Sequence, residues 1–182
     1  MRKLAQFLYF KVFGWKIVGN SNFSKDTVKK SVIIAAPHTS YHDFFVGICL
    51  RKIVNVKTNF IGKKELFKWP FGLYFKSVGG VALDRTPGQN KVEAIAKLFH
   101  DKEEFRLTLA PEGTRGKVDE WKTGFYYIAK EANVPIIMFT LDFQNKQNKI
   151  SEPFYPTDDT EADLAFIKSF FKGVVGKVPE YS

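Results

Sequence analysis

Short β-rich runs alternate with amphipathic stretches along most of the chain. In the amphipathic stretches, apolar residues recur every three or four positions, which is the spacing of one face of a helix. Strands are predicted over residues 31–36, 58–61, 80–83, 106–110 and 135–141, and helices over residues 43–52, 91–100 and 125–132. This alternation predicts one α/β domain in which helices flank a mostly parallel sheet.

Two further helical segments carry signals of interruption or capping. Residues 63–76 look helical, but Pro70 and Gly72 break or bend the pattern. A last helix is predicted from Thr160, which forms a capping-box pattern with Asp163. We therefore expect an interrupted helix before the strand at residues 80–83 and a capped helix from residue 160.

The first segment, MRKLAQFLYFKVFGWKIVG, mixes aromatic and basic side chains. Lysines interrupt its apolar run and no small-residue cleavage site follows, which argues against a signal peptide. Because no apolar run approaches the ~20 residues that span a bilayer, we predict an interfacial helix over residues 1–18, ahead of a main domain over residues 19–182. The alternative is a terminal helix packed on the core. The predicted lipid-facing residues are Phe7, Phe10, Phe13 and Trp15, and the predicted phosphate-facing residues are Arg2, Lys3, Lys11 and Lys16.

The chain carries a formal charge of +9, and 19 of its 182 residues are Phe. A basic excess favours anionic partners such as a membrane surface, phosphorylated metabolites or an acidic carrier protein. The apolar bulk favours a lipid-facing surface or a pocket for an apolar ligand. No arginine-rich tract or nucleic-acid motif is present, so nucleic acid is not an expected partner. Cys49 is the only cysteine, which excludes an intramolecular disulfide and zinc sites built on cysteine.

His38 and Asp43 lie close together in the stretch HTSYHD. His38 follows a predicted strand and Asp43 starts the next predicted helix, so the turn between them can bring the carboxylate to the imidazole. Asp43 would then fix the tautomer and leave the other ring nitrogen as a general base. The alternative is a helix-capping aspartate beside a buried histidine. His42 adds a metal-site alternative, because its i, i+4 spacing from His38 suits two ligands on one helix, with Asp43, Asp84 or Glu112 as further ligands.

Two more polar stretches follow predicted strands, where ligands bind in open parallel sheets. In GGVALDR, paired glycines permit a close backbone approach and Arg85 offers a planar fork for phosphate. The loop APEGTRG displays Glu112, Gly113, Thr114 and Arg115. Thr114 and Arg115 suit a phosphate, and Glu112 can hold an acceptor hydroxyl or an arginine. The alternatives are an ordinary exposed Asp–Arg pair and a surface turn.

Four stretches, HTSYHD, GGVALDR, PEGTRG and NVPIIMF, occur in this order within residues 32–141. Together they resemble the four motif blocks of the glycerolipid acyltransferase family, the 1-acyl-glycerol-3-phosphate (lysophosphatidate) acyltransferases. The resemblance implies a glycerol-3-phosphate acyltransferase-like fold, with His38 as the catalytic base and Asp43 as its partner. It also implies that Pro135 shapes the acyl-donor region. The residues implied to bind or orient the phosphate-bearing acceptor are Arg85, Glu112, Gly113 and Arg115.

The implied reaction moves a fatty acyl chain from acyl-CoA or acyl carrier protein to the hydroxyl of a lysophosphatidate-like acceptor in phospholipid biosynthesis. It needs no metal and no cofactor besides the thioester co-substrate. Backbone N–H groups near the His38 turn are candidates for stabilising the tetrahedral oxyanion. We expect a peripheral protein on the cytoplasmic face of an anionic membrane. Two alternatives stay open: a metal-dependent hydrolase that uses His38, His42 and Asp43, and a non-catalytic lipid-binding protein.

Overall fold

Strands and helices alternate along the chain in the computed structural model, which describes residues 2–20, 23, 28–83 and 90–182. Within those residues the strands are β1 (Lys16–Gly19), β2 (Lys30–Ala36), β3 (Phe60–Lys63), β4 (Gly80–Leu83), β5 (Phe105–Leu109), β6 (Ile136–Thr140) and β7 (Gln147–Ile150). The α-helices there are α1 (Arg2–Gln6), α2 (His42–Ile53), α3 (Gly72–Ser77), α4 (Lys91–His100), α5 (Gly124–Glu131) and α6 (Thr160–Phe170). A π-helical turn over Phe7–Val12 continues α1, and 3₁₀ turns cover Lys64–Phe67 and Pro179–Tyr181. The predicted alternation of strands and helices is confirmed.

Five of the strands form a mostly parallel sheet in the order β1-β7-β6-β2-β5. β2 lies between β5 and β6 and is parallel to both. β1 is parallel to β7, whereas β6 and β7 pair antiparallel. β3 and β4 form a second, parallel pair. Asn59, just ahead of β3, makes backbone hydrogen bonds of 2.6 and 2.7 Å with β5, so the second pair continues from the β5 edge of the main sheet.

Helices cover both faces of the main sheet, which explains why β2 and β6 are continuous apolar runs. Successive side chains of a strand point to opposite faces. Val32 and Ile34 therefore pack with α4, α5 and α6, whereas Ile33 packs with α1 and α2. Because β2 and β5 run parallel, their carboxyl ends meet at one edge, and the residues that follow these two strands are brought together there.

Two predicted elements, the strand over residues 80–83 and the helix over residues 91–100, match the structure residue for residue. The predicted apolar face of α4 is buried, with Ile95, Ala96 and Phe99 in the core. The interrupted helix over residues 63–76 becomes a 3₁₀ turn and the separate helix α3. Pro70 lies between the two, and the helical pattern breaks there because proline cannot be accommodated in the interior of a continuous α-helix.

The predicted capping box at the start of α6 is wrong. The side chain of Asp159, one residue earlier than predicted, caps the helix by accepting a hydrogen bond from the Ala162 N–H at 3.0 Å. Asp163 is buried and accepts hydrogen bonds from Tyr126 Oη at 2.8 Å and from the Thr157 N–H at 2.6 Å. A buried carboxylate needs such donors, so Asp163 serves the core rather than the helix end.

The N-terminal segment is helical over fewer residues than predicted. Its helical turns end at Val12, and residues 16–19 form the edge strand β1 instead of the end of a helix. Trp15 is only 7 % exposed and packs edge-on against Phe143 with ring centroids 4.9 Å apart, so the prediction that it faces lipid is wrong. Tyr9 is also buried and donates a hydrogen bond to Asn148 Oδ1. The large apolar side chains of the segment that remain exposed are Leu4, Phe7, Phe10, Val12 and Phe13.

One side of this segment is thus packed on the core, as the alternative interpretation of a terminal helix has it, while the other side presents apolar residues to the surroundings. None of the helices in the described part of the chain is long and apolar enough to cross a bilayer.

Candidate active site

His38 and Asp43 meet where β2 passes into α2. β2 ends at Ala36, and a short turn leads into α2, whose first turn carries Asp43. This position near a helix N-terminus favours a negative charge. The distance from His38 Nδ1 to Asp43 Oδ2 is 2.9 Å. Asp43 is buried and the His38 side chain is 23 % exposed. The Nε2 atom of His38 makes no hydrogen bond with the residues that the structure describes.

One oxygen of Asp43 organises the whole turn. Besides contacting His38 Nδ1, Oδ2 accepts hydrogen bonds from the backbone N–H groups of Thr39 and Ser40, both at 2.9 Å. The N–H of His38 donates instead to Glu112 Oε1 at 3.1 Å. Because the amides of these three residues are already engaged, the expectation that N–H groups near the His38 turn stabilise an oxyanion is wrong for residues 38–40.

Glu112 follows β5, and the parallel register of β2 with β5 brings it beside His38. Its side chain is buried, and Oε2 has no hydrogen-bond partner within the described part of the chain. Burial raises the pKa of Glu112, and hydrogen bonds from its own backbone N–H and from that of His38 oppose the rise. One oxygen of Glu112 therefore fixes the backbone of His38, while the other is buried without a partner among the described residues.

The loop after Glu112 is shaped by Gly113 and Arg115. Gly113 has a φ of +67°, a conformation that favours glycine, and a Cβ there would lie 2.9 Å from Lys122 Nζ. Arg115 Cζ lies 4.0 Å from the centre of the Tyr41 ring, which is a cation–π contact. Arg115 Nε is buried and has no partner among the described residues. The guanidinium is thus stacked on an aromatic ring with a donor left unused.

Two predicted binding residues remain, Arg85 and Thr114. Arg85 lies outside the described residues, so its place beside a phosphate stays a prediction. Thr114 is exposed, and its Oγ1 accepts a 3.4 Å hydrogen bond from the Gly116 N–H. The predicted site residues that contacts do bring together are His38, Asp43, Glu112 and, through Tyr41 of the same turn, Arg115.

Tyr41 and Lys122 were not predicted from the sequence. Tyr41 lies inside the stretch HTSYHD, and an aromatic ring at a strand end that faces an arginine-bearing loop is a signal that could have found it. Lys122 donates its backbone N–H to the Pro111 carbonyl at 2.8 Å, and its side chain lies against Gly113. The loop that leads to Lys122 has no regular hydrophobic pattern, so nothing in the sequence indicates this approach.

His42 is not joined to His38 and Asp43. It begins α2, whereas His38 precedes the helix, so the i, i+4 spacing does not place both histidines on one helix. His42 Nδ1 instead lies 2.8 Å from Ser40 Oγ. Within the described residues, no three His, Cys, Asp or Glu side chains are grouped as metal ligands. This part of the chain therefore offers no ligand set for the metal-dependent hydrolase.

An open groove of about 1110 Å³ lies beside the first turns of α2. Its walls come from the N-terminal segment, from α2 and from the chain that follows α6. His42 lines this groove, which puts one wall next to the turn that holds the catalytic candidates. The apolar residues that line it include Val12, Phe13, Phe45, Val46 and Phe171. An apolar groove of this size can accommodate a fatty acyl chain.

Comparisons with known proteins bear on the fold and the family of the chain. The crystal structure of PlsC, the 1-acyl-sn-glycerophosphate (LPA) acyltransferase of Thermotoga maritima, superposes with a TM-score of 0.59 over 93 % of this chain and 76 % of that chain. The sequence identity is 20 %, so the similarity shows a shared fold. A search of curated proteins found no match. A family model described as Acyltransferase matches residues 15–141, which include the His38 turn and the Glu112 loop. The chain belongs to the acyltransferase family.

Proposed function

We propose that this protein transfers a fatty acyl chain from acyl-CoA or acyl carrier protein to the hydroxyl of a lysophosphatidate-like acceptor, as a step in phospholipid biosynthesis. The observation that carries the proposal is the 2.9 Å contact between His38 Nδ1 and Asp43 Oδ2, which leaves the second ring nitrogen open. Attack of an alcohol on a thioester needs a positioned base of this kind. Membership of the acyltransferase family supports the reaction type.

In the proposed reaction, His38 Nε2 removes the proton from the acceptor hydroxyl while the hydroxyl oxygen attacks the thioester carbonyl carbon. Asp43 accepts a hydrogen bond from Nδ1–H and stabilises the imidazolium that forms. The tetrahedral intermediate then collapses, the carbon–sulfur bond breaks, and His38 returns the proton to the departing thiolate. The products are an ester and a free thiol. No protein nucleophile is needed, because the thioester carbonyl is already electrophilic.

The acceptor is held, in this proposal, by the loop after β5 together with Arg85. Arg115 supplies a guanidinium whose Nε has no partner in the described residues, and phosphate is an acceptor that such a group binds well. Gly113 lets the chain turn tightly there, and the exposed Thr114 hydroxyl adds a further donor. Glu112 Oε2 can accept a hydrogen bond from the hydroxyl that is to be acylated and hold it toward His38.

The acyl chain is proposed to lie in the apolar groove beside α2, since that groove begins next to the turn carrying His38. The formal charge of +9 suits the phosphates of CoA and an acidic carrier protein equally. We further propose that the protein is peripheral on the cytoplasmic face of an anionic membrane. The exposed apolar side chains of the N-terminal segment, interspersed with Arg2, Lys3 and Lys11, support this placement.

A screen of purified protein tests the reaction. Acyl thioesters of several chain lengths, on CoA and on carrier protein, are incubated with a panel of lysophospholipid acceptors, and acylated products are detected by mass spectrometry. We expect one or more phosphate-bearing acceptors to be acylated by the wild type, with and without a chelator, and not by His38→Ala. Lipid binding without turnover of any thioester would instead indicate a non-catalytic lipid-binding protein, and turnover that chelation abolishes would indicate the metal-dependent hydrolase.

A further inference from the structure

Five large apolar side chains are exposed within nine residues of the chain between β3 and β4. Trp69 is 89 % exposed, Leu73 77 % and Phe71 67 %. Exposed apolar side chains that lie this close together along the chain mark an interaction site rather than chance exposure. We call this cluster the α3 platform, and its residues are Leu66, Trp69, Phe71, Leu73 and Tyr74.

The α3 platform rests on a packed aromatic layer. Phe67 and Phe60 both lie against Phe75, with ring centroids 6.5 and 6.4 Å apart. Gly72 is packed so closely that a Cβ would lie 2.1 Å from the Phe67 carbonyl oxygen. The layer continues through Phe44, whose ring centroid is 6.3 Å from that of Phe60. The exposed side chains are therefore presented by a supported structure rather than by a loose loop.

The layer also links the α3 platform to the candidate site, because Phe44 directly follows Asp43 in α2. The next residue, Phe45, is itself an exposed apolar side chain and its ring lies 6.1 Å from that of Phe44. A surface that docked the α3 platform would consequently hold α2, and with it the His38 turn, at a fixed position relative to that surface.

The charges around the α3 platform indicate which surface this is. The same stretch of chain carries Lys64, Lys68 and Lys76 against the single acid Glu65. Tryptophan and tyrosine are enriched at the boundary between lipid headgroups and acyl chains, and lysine accompanies them in segments that lie in this boundary. Lysine is depleted from the apolar centre of protein–protein interfaces. We propose that the α3 platform inserts into the headgroup–acyl boundary of an anionic bilayer, as a membrane contact separate from the N-terminal segment.

A triple variant of the full-length chain, Trp69→Ser/Phe71→Ser/Leu73→Ser, tests the proposal. Vesicles of phosphatidylcholine and phosphatidylglycerol are sedimented with each protein, and thermal melting verifies that the variants are folded. We expect the triple variant to bind at least about tenfold more weakly than the wild type, because three apolar side chains lose their burial in lipid. A matched control, Tyr127→Ser/Tyr155→Ser/Phe166→Ser, removes three exposed aromatic side chains outside the platform and should bind like the wild type. No substrate is used, so the outcome is independent of the proposed reaction.

Fluorescence gives a second readout that reports the depth of the platform itself. Vesicles with brominated acyl chains should quench the tryptophan fluorescence of the wild type. The Trp69→Phe variant should lose most of the fluorescence that these vesicles quench, while its vesicle binding is kept. Equal binding by the triple variant and the wild type would overturn the proposal, as would Trp69 emission that brominated lipid leaves unchanged. Self-association of the wild type that the triple variant abolishes, without any change in vesicle binding, would show that a second copy of the chain covers the platform instead.

Discussion

Glu112 uses its two carboxyl oxygens for different purposes. Oε1 accepts the hydrogen bond from the His38 N–H, while Oε2 is buried and has no partner in the described part of the chain. Burial disfavours the charged form of a carboxyl group, which raises the pKa of Glu112. The charge state of Glu112 therefore reports the solvation of the site.

The pH dependence of stability should reveal the buried Glu112. A carboxyl whose pKa is raised by folding binds its proton more tightly in the folded than in the unfolded chain. Its contribution to the free energy of unfolding is therefore largest below the ordinary glutamate pKa, falls as the pH rises toward the raised value, and stays constant above it. In Glu112→Gln this titration is absent. Urea unfolding at a series of pH values should show the variant gaining stability relative to the wild type as the pH rises through that window, and a constant difference would contradict the assignment.

Substitutions at the His38 turn test the proposed base. His38→Ala should fold normally, because the backbone N–H of residue 38 can still donate to Glu112 and the N–H groups of Thr39 and Ser40 still donate to Asp43 Oδ2. It should lose acyl transfer by at least about a hundredfold. Asp43→Asn should also lose most activity, since it removes the charge that supports the imidazolium. His42→Ala should be milder, because His42 contacts Ser40 rather than the pair.

Transfer rate, thermal melting and metal content of these three variants are measured together. Near-normal transfer by His38→Ala would end the proposed role of His38. An inactive but folded His42→Ala that had also lost a bound metal would favour the hydrolase.

Kinetics toward the acceptor should identify the phosphate contacts. Arg115→Ala and Arg85→Ala should each lower the acceptor kcat/KM about ten- to a thousand-fold, or roughly 1.5–4 kcal/mol. Tyr41→Leu should cause a smaller loss of about threefold, because it removes only the ring on which the Arg115 guanidinium is stacked. Lys117→Ala, which removes an exposed cation of the same loop, is the matched control and should change little. An unchanged acceptor kcat/KM in both arginine variants would exclude the phosphate assignment.

At the scale of secondary structure, the elements that could be predicted are those whose signal is local. α4 was predicted residue for residue because its buried face repeats with the period of a helix. The start of α6 at Thr160 is predicted correctly, but its cap is misassigned because Asp163 is drawn into the core by Tyr126, a residue 37 positions away in the sequence. The N-terminal helix was predicted too long because β1 exists only through its pairing with β7, more than a hundred residues later.

The corrected N-terminal segment changes how its membrane contact should be tested. Deletion of residues 1–18 would remove Trp15 and most of β1, so it would damage the fold as well as the surface. Phe7→Ser/Phe13→Ser, at exposed positions, should instead weaken binding to anionic vesicles several-fold, and added salt should weaken wild-type binding further. Vesicle binding that is unaffected by the Phe7→Ser/Phe13→Ser change would refute the contact.

Trp15 should show itself as a core residue instead. Trp15→Ala should lower the free energy of unfolding by about 3–5 kcal/mol in urea titrations.

At the scale of the whole molecule, the candidate site is an outcome of strand order. His38 and Glu112 are 74 residues apart in the chain, and they touch because β2 and β5 are parallel neighbours that end at the same edge. The sequence indicated that polar residues gather beyond the strand ends, since several predicted strands are followed by polar loops. It contains no signal for which strands are neighbours, so it did not indicate that Glu112 would hold the His38 backbone.

The hydrogen bonds to Asp43 Oδ2 are all made by residues of the turn itself, so none of them requires a bound substrate. A base that is assembled before the acceptor arrives can activate a water molecule just as it activates an alcohol. The proposed enzyme should therefore cleave its donor slowly when no acceptor is present, at a rate that His38→Ala suppresses. Release of free thiol from acyl-CoA, followed with a thiol-reactive dye, would measure this hydrolysis of the donor in the absence of acceptor. If it is undetectable in an enzyme that transfers acyl chains normally, then the acceptor itself must complete the site or exclude water from it.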